Sequence, residues 1–238
     1  MIQESTEREQ IFLNWSSGKD AAYSLYLLQQ NLAYEVVHLL TTVNEDLDRV
    51  TMHGLRSELL EKQLQQIGLP YSLIKLPRDV QMEDYERLMQ GQLIQLKGKG
   101  LQCAAFGDIF LEDLRKYREQ KLESMGFRSL FPLWKKASKD LYTGMFSSGF
   151  KAIVVCVNNN VLDDSFCGRI YDQQFIEDLP EGVDPLGENG EFHTFCFDGP
   201  IFKSPVIFKK GELVHKSYPN PSKDAEEIRF CFCDLIPA

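Results

Sequence analysis

Apolar residues recur along the first half of this chain with two alternating rhythms. Near-continuous apolar runs at 11–15, 35–41, 71–75 and 102–106 have the length and content of buried strands. Between them, apolar positions return every three to four residues. That spacing predicts helices over about 20–30, 54–67, 82–97 and 110–124. Gly68-Leu69-Pro70 stops the second helix, because glycine adopts the left-handed closing turn and proline cannot continue a helix. Gly98 and Gly100 punctuate the third. Strand and helix in alternation predict an α/β architecture, a parallel sheet covered by helices on both faces and joined by right-handed crossovers. Ligands of such sheets sit at the carboxyl ends of the strands.

The pattern changes after Leu130-Phe131-Pro132-Leu133-Trp134. A helix is expected at about 138–147 and a strand at 151–157. Turn-forming clusters then separate short strand-like runs at 192–197, 206–209 and 228–233. This half reads as a smaller α+β domain. The boundary is expected near 126–134, dividing the chain into 1–130 and 131–238. Trp134 reads as packing between the two parts. No internal repeat or low-complexity tract interrupts either half.

Composition narrows the class. With 43% hydrophobic and 26% charged residues the chain reads as an ordinary soluble globular protein. The polar start, Met1 to Gln10, lacks the apolar stretch of a secretory signal, and no run approaches the ~20 residues of a membrane helix. A net charge of −9 argues against broad nucleic-acid binding, which needs clustered cations, but leaves room for a small anion in a local pocket. Cys103, Cys156, Cys167, Cys196, Cys231 and Cys233 form no Cys-x-x-Cys pair, so zinc ribbons and redox pairs have no support. Reduced, strand-borne cysteines point to the cytoplasm.

The candidate chemistry begins where the first strand meets the first helix, at Ser16-Ser17-Gly18-Lys19-Asp20. Small residues at such a junction let backbone N–H groups approach an anion, and the helix N-terminus adds partial positive charge. A phosphate chain fits, with Lys19 as counter-charge. Asp20 would repel phosphates unless a divalent cation intervenes, so the turn points to a nucleotide with Mg²⁺. The bland alternative is an N-capped helix after a buried strand. The Walker loop is excluded because Leu13 stands where its first glycine belongs and Asp20 follows the lysine. The Gly-x-Gly-x-x-Gly dinucleotide loop is absent.

Other candidates fall on the same expected edge. Gly107 allows close backbone approach, and Asp108 suits a metal or a ribose hydroxyl, or simply caps the next helix. Arg115 and Arg118 lie three apart and could meet phosphate or an acidic substrate, or form a solvated face. His53 and Arg56 flank the second helix, with Arg56 a candidate phosphate ligand. Glu188 and Glu191, in a glycine-rich turn with Gly187 and Gly190, suit metal binding, ammonia capture or general-base work, or form a polar hairpin turn.

The junction resembles the Ser-Gly-Gly-x-Asp-Ser loop of PP-loop ATP pyrophosphatases, with Ser17 in place of the first glycine and Ala21 in place of the last serine. Further segments, in order, are Met52-His53-Gly54-Leu55-Arg56, Phe106-Gly107-Asp108-Ile109, 114–118, Phe131-Pro132-Leu133-Trp134, and Gly187-Glu188-Asn189-Gly190-Glu191-Phe192-His193-Thr194 with Asp198-Gly199-Pro200. Together they resemble the diphthine–ammonia ligase family, over roughly residues 10–210. The resemblance implies a Rossmann-like nucleotide domain and a family-specific substrate domain. It implies adenylation of a carboxylate by ATP, then displacement of AMP by ammonia to give an amide. The family's substrate is diphthine, a modified histidine on a translation elongation factor. Carried over position by position, Ser16, Ser17, Gly18, Lys19, Asp20, Arg56, Gly107 and Asp108 would bind ATP, and Asp20 and Asp108 would bind Mg²⁺. Lys19, Asp20, Glu188 and Glu191 would be catalytic, and Arg115, Arg118, Asn189, Gly190, His193 and Thr194 would meet the substrate. His193 departs from the acidic residue expected there, which bears on the substrate rather than on the ATP chemistry. A tRNA-acting relative, a ligase for another carboxylate and a non-catalytic ATP- or AMP-binding protein stand as alternatives. The sequence leaves the oligomeric state open, a homodimer included.

Overall fold

The computed structural model describes residues 7–50, 54–78, 80–219 and 227–238, so Met52 and His53 lie outside the described residues. The first half forms strands β1 (Glu9–Asn14), β2 (Tyr34–Asn44), β3 (Arg49–Val50), β4 (Tyr71–Leu76), β5 (Cys103–Ala105) and β6 (Arg128–Leu130). Five of them are parallel, in the order β4-β2-β1-β5-β6, and β3 adds antiparallel to the end of β2. The helices are α1 (Lys19–Gln30), α2 (Ser57–Ile67), α3 (Met82–Gly98) and α4 (Glu112–Glu123).

Alternation along β1 assigns the layers. Ile11 and Leu13 join one core with Leu25 of α1 and Leu59 and Leu64 of α2. Phe12 joins the other with Leu93 and Leu96 of α3 and Leu122 of α4. Both faces of β1 are therefore dry, which is why its sequence is continuously apolar rather than alternating. The chain steps from β1 to β2 and β4, then returns past β1 to β5 and β6. That reversal opens a crevice at the carboxyl ends of β1 and β5, the position where such sheets take ligands.

The second half contributes α5 (Ser138–Ser147), β7 (Lys151–Asn158), a 3-10 turn (Asp164–Phe166), β8 (Ile170–Tyr171), α6 (Gln173–Asp178), β9 (Phe192–Asp198), β10 (Phe208–Tyr218) and β11 (Ile228–Pro237). Its sheet is antiparallel, in the order β10-β11-β7-β8, with β9 also paired to β7. Residues of β7 and β9 share the core of α1 and α2, so the second sheet lies against that helical layer. Among the described residues no helix is long and apolar enough to cross a membrane.

Several elements differ from the sequence expectation. The second helix begins at Ser57, not 54, because Gly54 takes φ +65° and faces the Phe232 ring. The fourth begins at Glu112 rather than 110. β6 lies inside the expected boundary and completes the first sheet, its three residues too few to show a period. β10 runs through Tyr218, well beyond 209, although most of its side chains are exposed, because β11 supplies its hydrogen bonds. α6 was not foreseen; its N-cap Asp172 accepts from the Phe175 N–H.

Candidate active site

The Ser16–Asp20 turn is held from two sides. Ser17 adopts φ +70°, a left-handed conformation that penalises a Cβ and that glycine takes freely. Its carbonyl accepts from the Cys196 N–H of β9 at 3.0 Å and from Gln63 Nε2 of α2 at 3.0 Å. The Lys19 N–H donates to Thr194 Oγ1 at 3.1 Å. The second sheet therefore shapes the loop of the first. Ser17 is fully buried and does not line the cavity described below, so the serine expected to bind ATP shapes the turn through its backbone, although its hydroxyl has no hydrogen-bond partner among the described residues.

Lys19 is buried despite its charge. Its ammonium donates to both carboxylate oxygens of Asp20, at 3.0 and 2.8 Å, and to the Leu186 carbonyl at 2.5 Å. The rings of Tyr171 and Phe192 face it at 5.2 and 5.6 Å. Three donors thus meet two acceptor groups and two π faces, so the buried ammonium is partnered on every side the contacts describe. Burial raises the Asp20 pKa, against the lowering effect of Lys19; the nearby Asp184 charge raises it further.

Asp108 and Glu188 complete an acidic mouth. Burial raises the Asp108 pKa, while Arg118 opposes the shift and Asp20 adds to it. Asp108 Oδ2 lies 3.3 Å from Arg118 Nη1, yet it is buried and makes no aligned hydrogen bond. Glu188 is pushed up to about 7 by burial, then by Asp20, even though the Ile109 N–H donates to its Oε2 at 3.1 Å. These carboxylates are hard oxygen donors that disfavour one another's charge, and one buried oxygen among them makes no hydrogen bond. That is the donor chemistry a Mg²⁺ ion requires. Gly107 borders the cavity and also serves a packing role that the sequence did not suggest. A Cβ there would sit 3.1 Å from the Ala21 nitrogen and from the Asp20 carbonyl carbon, so the glycine admits the first turn of α1 against β5.

The 184–191 loop is tied by Glu191, which accepts from the backbone N–H groups of Asp184 (3.2 Å) and Asn189 (2.9 Å) and from Asn189 Nδ2 (2.9 Å). Glu191 and Asn189 therefore hold the loop together rather than lining the cavity, unlike the catalytic and substrate-binding roles expected of them. Gly187 needs its φ of +71°, since a Cβ would come within 2.8 Å of the Phe192 carbonyl oxygen. His193 and Thr194 do line the cavity. Burial, with Lys19 nearby, pushes the His193 pKa down to about 4, so its ring is neutral at physiological pH.

These groups open into a cavity of about 970 Å³ that also borders Ser16, Gly18, Gly107, Gly190 and Arg118. Its lining also includes Met89 and Leu93 of α3 and Leu114 of α4. Thr41, whose buried hydroxyl is unpartnered among the described residues, faces it from β2. Two expected ligands are committed elsewhere. Arg56 donates from Nε and Nη2 to Asp234 at 3.0 and 2.6 Å, away from the cavity. Arg115 pairs with Glu119 and stacks on Phe131 and Trp134 at 4.8 and 4.5 Å. Trp134 is thus a platform for Arg115. Gln63, Tyr171 and Asp184 were not anticipated. Gln63 carried a signal, a glutamine on the otherwise apolar face of α2. The others reach the site only through folding.

Known proteins share both halves. The family models described as the diphthamide synthase N-terminal and C-terminal domains match residues 9–129 and 138–217. A Bos taurus protein named diphthine–ammonia ligase is 34% identical over 113 residues, 45% of this chain and 42% of its own. The Homo sapiens protein of that name is 33% identical over 110 residues, 44% of this chain and 41% of its own. The match thus spans less than half the length of either relative. A Danio rerio protein of the same name is 24% identical over 224 residues, 84% of this chain and 86% of its own.

Proposed function

The chain belongs to the diphthamide synthase family, and from that premise we propose that it is an ATP-dependent ligase that adenylates a carboxylate and amidates it with ammonia, releasing AMP and pyrophosphate. One observation carries the reading. A braced phosphate-type turn with a buried ammonium stands beside three carboxylates at the point where the sheet order reverses.

On this reading residues 1–130 bind the nucleotide and 131–238 close and shape the substrate site. The polyphosphate lies along Ser16–Lys19, where Ser16 and Gly18 border the cavity and the Lys19 ammonium supplies positive charge as the pyrophosphate leaves. Asp20 and Asp108, with Glu188 beside them, would hold Mg²⁺, which supplies further charge neutralisation. The substrate carboxylate oxygen attacks the α-phosphorus, and the bond to pyrophosphate breaks. Glu188, with a pKa of about 7, then takes a proton from ammonium. The freed lone pair attacks the acyl carbon, AMP departs with the C–O bonding pair, and the nitrogen sheds one further proton to solvent to leave the amide. Arg118, stacked on Phe106 at 4.4 Å, meets the acidic substrate, and neutral His193 and Thr194 contact it from β9. The names of the relatives support diphthine as the carboxylate, the family resemblance implies a translation elongation factor as its carrier, and six free thiols suit the cytoplasm.

The test is AMP release with ATP, ammonium and a diphthine-bearing elongation factor. Release should depend on both ammonium and the acid, and Lys19→Met should lower turnover by about a hundredfold or more in a folded protein. ADP as product, or tight ATP binding without pyrophosphate release, would overturn the assignment.

A further inference from the structure

A second set of donor atoms lies in the C-terminal sheet, outside the cavity. His215 of β10 and Cys231 of β11 are direct cross-strand partners, so their side chains share one face. The 3-10 turn brings Asp164 over that face. His215 Nε2 lies 2.9 Å from Asp164 Oδ2, and the Cys231 sulfur lies within 4.8 Å of both side chains' donor atoms. Among the described residues this is the one group of three such side chains whose donor atoms all lie within 4.8 Å of one another. The carboxylates of the candidate active site do not converge to that degree.

The arrangement is more than a surface ion pair. Asp164 is aimed by Asn159 Nδ2, which donates to its Oδ1 at 2.9 Å, and the turn is capped by Asp163. Cys231 is fully buried beneath the exposed Asp164 and His215, and its carbonyl accepts from the Cys167 thiol at 3.2 Å. An Asp–His pair at a surface needs no thiol under it and contributes little alone. One oxygen, one imidazole nitrogen and one sulfur form a mixed donor set that Mg²⁺ and Ca²⁺ do not select and that zinc-type ions do.

We propose that Asp164, His215 and Cys231 bind one zinc-type divalent transition-metal ion per chain, with a further coordination position open to solvent. Tetrahedral bonds of zinc length place donor atoms about 3.3–3.6 Å apart, so the Asp164–His215 contact opens slightly and the sulfur draws in. The thiol proton passes to solvent as the thiolate binds. The ion ties the β10–β11 pair to the 164–166 turn and stabilises the fold by mass action.

The probe is Co²⁺ added to the chelator-stripped, reduced full chain in excess Mg²⁺. One equivalent should produce thiolate-to-cobalt charge-transfer absorption, Zn²⁺ should abolish it, and Zn²⁺ should raise the melting midpoint. Cys231→Ser should lose the band. His215→Ala and Asp164→Asn, at exposed positions that the fold tolerates, should each weaken binding at least tenfold and lose the Zn²⁺-induced rise. No charge-transfer band, or a band and affinity unchanged in His215→Ala and Asp164→Asn, would overturn the site whether or not Cys231→Ser folds.

Discussion

Gln63→Met tests the claim that one buried amide holds the nucleotide turn in place. Gln63 is fully buried on α2 among Leu59, Leu60 and Leu64. Its Oε1 accepts from Trp15 Nε1 at 2.9 Å, and its Nε2 donates to the carbonyls of Ser17 at 3.0 Å and Cys196 at 2.6 Å. Methionine is close in length and volume, so it removes three hydrogen bonds and leaves little cavity. The Ser17 carbonyl keeps the Cys196 N–H, so its loss is small. The buried Trp15 N–H loses its acceptor, and the Cys196 carbonyl loses its side-chain donor. At ~1–3 kcal/mol for each group left unsatisfied, the variant should lose about 2–4 kcal/mol. For a chain of this size that lowers the melting midpoint by roughly 5–15 °C. Ser17 also loses a restraint on its left-handed conformation, so ATP should bind about tenfold more weakly by calorimetry, since a disordered loop must be re-ordered by the ligand. A midpoint within about 1 °C of the parent, a shift far below that expected for this loss of hydrogen bonds, together with unchanged ATP affinity, would refute the reasoning.

Three further perturbations probe neighbouring atoms. Glu188 has a folded pKa of about 7 against an ordinary 4.5, so its contribution to stability is complete below about pH 4.5 and is lost as pH rises through 7. The whole shift corresponds to something on the order of 3 kcal/mol. Glu188→Gln should flatten that decline in urea titrations and remove the rise in turnover near pH 7; profiles matching the parent would exclude the base role. Ser17→Gly relieves a left-handed residue, a gain of ~1–2 kcal/mol less the ~0.5–1 kcal/mol entropy of glycine. It should melt slightly higher with ATP affinity little changed, since the side chain lies outside the cavity, and a lower melting midpoint would contradict the backbone reading. Gly107→Ala sets a Cβ 3.1 Å from the backbone of Asp20 and Ala21, so α1 must shift by a few tenths of an ångström. Turnover should fall about tenfold with the fold retained, and full activity would show that the helix start tolerates displacement.

The centre of the first sheet was legible because β1 and β5 are dry on both faces and the helices covering them on one. Ile11, Phe12 and Leu13 feed two different cores, so their unbroken apolar run announces a parallel strand. The turn after β1 was legible for a related reason: few sequences place Ser-Ser-Gly-Lys-Asp between such a strand and a helix. β6 and most of β10 were not legible. They are strands because a neighbour offers backbone partners, and their own residues carry no period that says so.

Local chemistry alone therefore determined a phosphate-type turn, a set of acidic and basic candidates and the edge on which they would meet. Tertiary structure decided what each side chain does there. Arg56 and Arg115 have the charge of ligands, but Asp234 and the Phe131–Trp134 rings claim them. Glu191 ties a loop, while Glu188, three residues away, faces the cavity and has a raised pKa. Gln63, far from the turn in sequence, braces it. Residue type sets what a group can bind, but burial, partner and dielectric arise from contacts between distant segments, and those exist only once the two sheets close on the loop.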